Sequence, residues 1–166
     1  MKTKIILSAL SLAIASISFA HNKKPANIKT REILTSGAIH RIIVGNNVKV
    51  ILVADDNYPA ITVTGESDLL SVVTTKTDGD QLTLSSSKNL KSSKLWIHVP
   101  VKDLDFLELK ADASVTVQGV LQCTTLKVLV NSGAHVALKS LGKVTIIPAD
   151  DCEFVYERDE SGMVTL

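Results

Sequence analysis

Residues 126–141 read LKVLVNSGAHVALKSL, and residues 107–120 before them read LELKADASVTVQGV. Each alternates apolar with polar residues, breaks at a short polar corner and alternates again. Laying Leu107, Leu109 and Ala111 on Leu126, Val128 and Val130 gives an offset of nineteen. Laying Ala113, Ser114 and Val115 on Ala134, His135 and Val136 gives twenty-one, which places a two-residue insertion at the Ser132-Gly133 corner. A unit of about twenty residues repeated in this way is the mark of stacked backbone coils, each burying its inward side chains against the next. The pattern stacks Leu107 on Leu126 on Val144 and turns Lys127 outward. Two coils and a partial third are too few to stand alone, so they must share a core with earlier strands. The alternative is an ordinary β-sandwich with an accidental spacing.

Working outward, the same alternation recurs at Val48, Val50 and Leu52, at Ile61 and Val63, at Leu82 and Leu84, and at Leu95, Ile97 and Val99. It returns at Val115 and Val117, at Val136 and Leu138, and at Val144 and Ile146. Every second side chain of a strand shares a face, so these rows predict half-buried strands. Val, Ile and Thr dominate them, as a pleated surface favours. No helical stripe appears beyond the first twenty residues, and the fold class is all-β. Asp78-Gly79 predicts a hairpin turn, with longer turns at 55–59 and 65–68. From 33 to about 99 the spacing predicts antiparallel pairs; from about 104 onward it predicts the solenoid-like stack, with corners at Asp112, Gly119, Ser132-Gly133 and Gly142.

The first twenty residues stand apart. Lys2 and Lys4, an apolar run from Ile5 to Ile17 and Ser18-Phe19-Ala20 form a secretory signal peptide, with cleavage expected after Ala20. The run is shorter than the roughly 20 apolar residues that a membrane span needs. No cysteine follows the cleavage site to take a lipid anchor, and no later stretch could cross a bilayer. Residues 21–32 (HNKKPANIKTRE) read as a flexible lead-in, and 33–166 as a single domain. The 18 Lys and Arg, less the two of the leader, face 17 Asp and Glu. That balance lacks the basic excess of a nucleic-acid binder. Export places Cys123 and Cys152 in an oxidising compartment, where they are allowed either a disulfide or two separate buried thiols. The periplasm, the cell envelope and the extracellular space all fit this address.

Chemistry is sparse. His21, His40, His98 and His135 lack the spacing and acidic neighbours of a zinc site, and His21 gains a copper-chelating amine only by being cleaved to the terminus. No Gly-x-Ser-x-Gly elbow occurs, and neither cysteine has a nearby His. Asp55-Asp56 and Asp150-Asp151 sit at turns, where carboxylates cap the backbone. The residues suited to binding are Lys88, Lys91 and Lys94 on a polar loop, followed by Trp96 and His98. Leu95, Ile97 and Val99 take the buried face, which points Trp96 and His98 the other way as a stacking platform for a sugar or a protein. A solvated loop and a covered second face are the plainer alternatives.

Three segments carry a family likeness. Residues 42–52 (IIVGNNVKVIL), 61–70 (ITVTGESDLL) and 78–84 (DGDQLTL), continued by 95–100 (LWIHVP), resemble the family of the putative auto-transporter adhesin head GIN domain over roughly 30–147. The resemblance implies a secreted or envelope-associated bacterial β protein with a right-handed parallel β-helix and no catalytic residues or cofactor. The family's repeated Ser-Gly corner stands only at Ser132-Gly133, with Asp112-Ala113 in its place one coil earlier. The expected function is therefore non-catalytic, adhesion to a glycan or envelope protein or scaffolding of the envelope. A β-helix enzyme acting on polysaccharide is the alternative.

Overall fold

The alternating rows do build strands. A computed structural model describes residues 27–35, 37–55, 57–90 and 93–158, so the signal peptide, His21 and Lys91 lie outside the described residues. The strands begin with β1 (Ile28–Ile33), β2 (Arg41–Val44), β3 (Lys49–Val53) and β4 (Ile61–Glu66). One helical turn, α1 (Ser67–Leu70), follows where the sequence predicts a plain turn, and then β5 (Val73–Asp78), β6 (Gln81–Ser86) and β7 (Leu95–Pro100). The remainder are β8 (Phe106–Leu109), β9 (Ser114–Gln118), β10 (Thr125–Val130), β11 (His135–Ser140), β12 (Lys143–Pro148) and β13 (Glu153–Arg158). They form two mixed sheets, neither closed: β1-β4-β7-β3-β9-β11-β13 and β12-β10-β8-β2-β6-β5.

From β6 onward the chain alternates between the sheets, so each pair of successive strands supplies one level to both. Levels β8/β9, β10/β11 and β12/β13 stack in parallel and in chain order. The offset between the first two is twenty-one in both sheets, Leu107 facing Val128 and Val115 facing Val136. The insertion expected at Ser132-Gly133 is absent, and Leu107 does not stack on Leu126. A two-residue slip leaves every side chain on its own face, so alternation cannot distinguish the two registers. Leu126 does stack on Val144, at an offset of eighteen that β11 and β13 share.

Antiparallel pairing in the N-terminal half holds only in part. β5 and β6 form the hairpin that Asp78-Gly79 predicts, with Gly79 at φ 59°, and β4 runs antiparallel to both β1 and β7. β2 and β3 instead pair in parallel, β2 between β6 and β8, β3 between β7 and β9. The level β2/β3 is thus wedged between two levels that come later in the chain. Residues 28–32, read from sequence as lead-in, belong with Ile33 to the edge strand β1. Their alternation is masked by Lys29 and Arg31 on the inner side; Arg31 Nη2 donates to the Val73 carbonyl on β5, 3.0 Å away.

Inward columns fill the space between the sheets. Leu82, Ile42, Leu107 and Val128 form one, and Val63, Ile97, Val50, Val115 and Val136 another, all essentially buried. Burying such side chains contributes about 1.5–3 kcal/mol each relative to exposure. The second column ends at Phe154, half exposed because β13 has no further neighbour among the described residues.

Four corners, 45–48, 110–113, 131–134 and 149–152, join the strands of a level in four residues each. Their third residues, Asn47, Asp112, Gly133 and Asp151, all have φ between 57° and 69°. Gly, Asn and Asp tolerate this left-handed conformation, so Asp112 performs the turn that Gly133 performs one level on. Gly133 has a second reason to lack a side chain, since a Cβ there would lie 2.8 Å from Asp112 Oδ1. The corners also bond to one another, Asn47 N–H to the Ala111 carbonyl and Asp112 N–H to that of Ser132. Cys123 and Cys152 are free thiols, so the bridge allowed by the sequence is not formed. Cys123 is buried instead with its Sγ 3.3 Å from Ser140 Oγ.

Candidate functional site

Strand alternation sets the site. Leu95, Ile97 and Val99 of β7 enter the core, and Trp96 and His98 stand on the outer face of the seven-stranded sheet. Trp96 keeps 43% of its surface exposed, unusual for the one Trp of the chain. Beside it on β4 lies Thr64, whose Oγ1 is 3.0 Å from Thr30 Oγ1 on β1. His98 sits two residues along, between Thr62 on β4 and Ile51 on β3. This outer face is solvent-facing at Trp96; no second layer covers that ring among the described residues.

His98 is partly covered, by a residue that strand parity could not supply. The connection after β3 folds back so that Tyr58 lies against the imidazole, ring centroids 6.2 Å apart and planes tilted by 39°. The Tyr58 hydroxyl and Thr62 Oγ1 share a hydrogen bond of 3.0 Å that holds the phenol in place. Burial lowers the His98 pKa below the ordinary 6.5, which keeps the ring neutral at neutral pH, and its Nδ1 is enclosed without a hydrogen-bond partner among the described residues.

Of the loop lysines, Lys88 and Lys94 are described and Lys91 lies outside the described residues. Lys94 is exposed and precedes Trp96 by two, continuing the outward row. Lys88 is exposed at the end of β6, in the opposite sheet, where its N–H donates to Ser86 Oγ. Between them Leu90 is buried, and Ser93 donates through both N–H and Oγ to its carbonyl, pinning the loop to the core.

Tyr58 also leads to something the sequence hides. At the ends of β3 and β7 a cleft of about 450 Å³ opens between Thr35, Tyr58 and Asp103, and a smaller cavity of about 260 Å³ adjoins it beside Asn57 and Gln122. Asp55, Val101 and Lys102 line both. Four chain segments far apart in sequence build this cleft, so no local motif announces it. Only the turn signal at 55–59 falls within it. Among the described residues no three His, Cys, Asp or Glu side chains gather as a metal site. No helix among them is long and apolar enough to cross a membrane.

With this geometry in place, comparison with known proteins identifies the fold. Crystal structures of proteins described as putative adhesins are similar, from Parabacteroides distasonis (TM-score 0.64, 15% identity) and Parabacteroides merdae (TM-score 0.64, 18% identity). The first match covers 79% of this chain and 57% of the other, the second 78% and 55%. A Bacteroides fragilis protein of the same description matches at a TM-score of 0.51 and 14% identity, over 74% of this chain and 62% of that one. The chain therefore spans little more than half the length of the first two structures. Among curated proteins no relative matches. The family described as "Putative auto-transporter adhesin, head GIN domain" matches residues 39–147, from the approach to β2 through most of β12, and the chain belongs to that family.

Proposed function

We propose that this chain is an exported, non-catalytic binding domain of the bacterial cell envelope, and that it makes contact through the outer face of the seven-stranded sheet around Trp96. The observation that carries the reading is the 43% exposure of that Trp on a strand whose alternate residues are buried. Large aromatic surface held rigid by a sheet binds with little loss of side-chain entropy. Lys94, Thr64 and His98 surround it with charge and hydrogen-bonding groups. The adhesin description of the family and of the similar structures supports adhesion as the role, with a glycan or an envelope protein as partner. The signal-peptide pattern of residues 1–20 supports export. On this reading the stacked levels are turns of a right-handed solenoid, supported by parallel pairing at offsets of twenty-one and eighteen. The test is a binding screen of the exported protein against a glycan array and fractionated envelope extract. At least one reproducible binder is expected, lost in Trp96→Ala combined with Lys94→Glu while the circular dichroism spectrum stays unchanged. A variant that binds as well as the parent overturns the placement.

A further inference from the structure

We infer that the cleft at the ends of β3 and β7 is a binding site for a neutral saccharide, two adjoining subsites from which a longer glycan runs past Tyr58 toward Trp96. The inference rests on the reading of the domain as a binding module and names the chemistry of its ligand. The larger cavity, about 450 Å³, lies within the usual range of small-molecule sites, and the smaller opens beside it over shared residues.

The lining sets the ligand class. Tyr58 gives an aromatic wall whose ring is fixed by its bond to Thr62, suited to the C–H face of a pyranose. Hydroxyl groups need acceptors and donors at short range. Asp55 Oδ1 accepts from Asn57 N–H at 2.9 Å and from Asn57 Nδ2 at 3.1 Å, which leaves Asp55 Oδ2 unpartnered among the described residues. Gln122 offers an amide that can donate and accept. Among the described lining residues two carboxylates, Asp55 and Asp103, stand against one ammonium, that of Lys102, so a phosphate, sulfate or uronate meets net repulsion.

The position of the cleft argues against a peptide as occupant. The strands β3 and β7, at whose ends it opens, pair with each other and with β9 and β4, so the cleft offers no open edge to extend. Backbone hydrogen bonds also hold its walls in place. Val101 N–H donates to the Val53 carbonyl at 3.0 Å, and Ala54 N–H to that of Gln118 at 3.0 Å. A preformed site of this kind avoids the ordering cost of binding.

The experiment titrates the exported protein calorimetrically with neutral hexasaccharides of glucose, mannose, xylose and N-acetylglucosamine, and with a hexauronate. Binding of at least one neutral member and weaker binding of the hexauronate are expected. Asp55→Asn preserves the turn and Gln122→Ala lies on an exposed side chain; each should weaken binding about tenfold. Binding of no neutral member, or equal binding by the Asp55→Asn/Gln122→Ala double variant, overturns the inference. Envelope retention that depends on Trp96 without any hexasaccharide binding overturns the saccharide assignment alone and leaves the outer face as the contact surface.

Discussion

From 106 to 158 the levels follow one another in chain order; from 28 to 100 they do not. In the first region four-residue corners join the two strands of each level, and the outer face of the seven-stranded sheet carries mostly small or paired side chains, with Gln118 on β9 and Val155 on β13 exposed beside them. Ser114, Thr116 and Ala137 alternate there with the surface pairs His135–Glu153 and Lys139–Glu157, each at 3.3 Å. In the second region β2/β3 is wedged between later levels, so the chain must travel further between strands. The segments 54–60, 87–94 and 101–105 make those journeys, and they supply Tyr58, the Lys loop and, together with 35–39 and the β9–β10 connection that carries Gln122, the cleft. A tight corner leaves no length for a site. The regular region builds mainly scaffold and lends Gln122 to the cleft, and the interleaved region builds most of the surface on which binding is proposed.

The largest effect that would break this contrast lies in the regular core. Val128 is fully buried between Leu107 and Ile146, and Val128→Asp places an unpaired carboxylate there. A loss of about 3–5 kcal/mol is expected, a large share of the ~5–15 kcal/mol that holds a domain together. Lys127→Asp next to it, on the exposed face, should move stability by about 0.5 kcal/mol or less. Urea unfolding of both variants measures the difference. Equal losses would show that the faces of β10 are exchanged.

A smaller effect asks whether the wedged level uses the same corner as the regular ones. Asn47, at φ 59°, corresponds to Asp112 and Gly133 in the levels that follow it in the stack. Asn47→Val should lose about 1–2 kcal/mol, because a β-branched residue is poorly accommodated in the left-handed region. Asn47→Gly should stay within about 0.5 kcal/mol of the parent. Thermal or urea melts that rank the two the other way would place the corner elsewhere.

A third effect is confined to the interleaved region and appears only with pH. The folded protein holds His98 neutral, with its pKa lowered by burial, while the unfolded chain takes up the proton near 6.5. As the pH falls below about 6.5 the unfolded state therefore binds the extra proton, and stability declines until the lowered folded pKa is passed. Above that window His98 contributes no slope. Comparing urea midpoints at about pH 7.5 and pH 5.5, His98→Gln should lose less stability on acidification than the parent. Identical acid losses in the two would mean that the ring is not enclosed by Tyr58.

Much of the scaffold was legible because alternation is a local property. It assigns faces correctly for Leu95 through Val99, for Lys127 and Val128, and for Val115 against Val136. The Asp78-Gly79 hairpin was legible because two residues decide it. Neighbour choice was not, since a strand such as β2 shows the same face whether it pairs with β3 or slides between β6 and β8. The offset of Leu107 was misread for a related reason, a shift of two being invisible to parity. Around the candidate site, parity places Trp96 and His98 on the outer face, while Asp55, Tyr58, Lys102 and Gln122 converge only after folding.

The most direct measurement compares one variant from each region on the same sheet face. Trp96→Ala in the interleaved region and Thr116→Ala in the regular region both alter exposed outer-face residues. Neither should change the melting curve appreciably. With the protein immobilised and envelope extract passed over it, Trp96→Ala should lose retention of the bound component and Thr116→Ala should keep it. Equal retention by the two, or loss only in Thr116→Ala, would contradict the assignment of binding to the interleaved half.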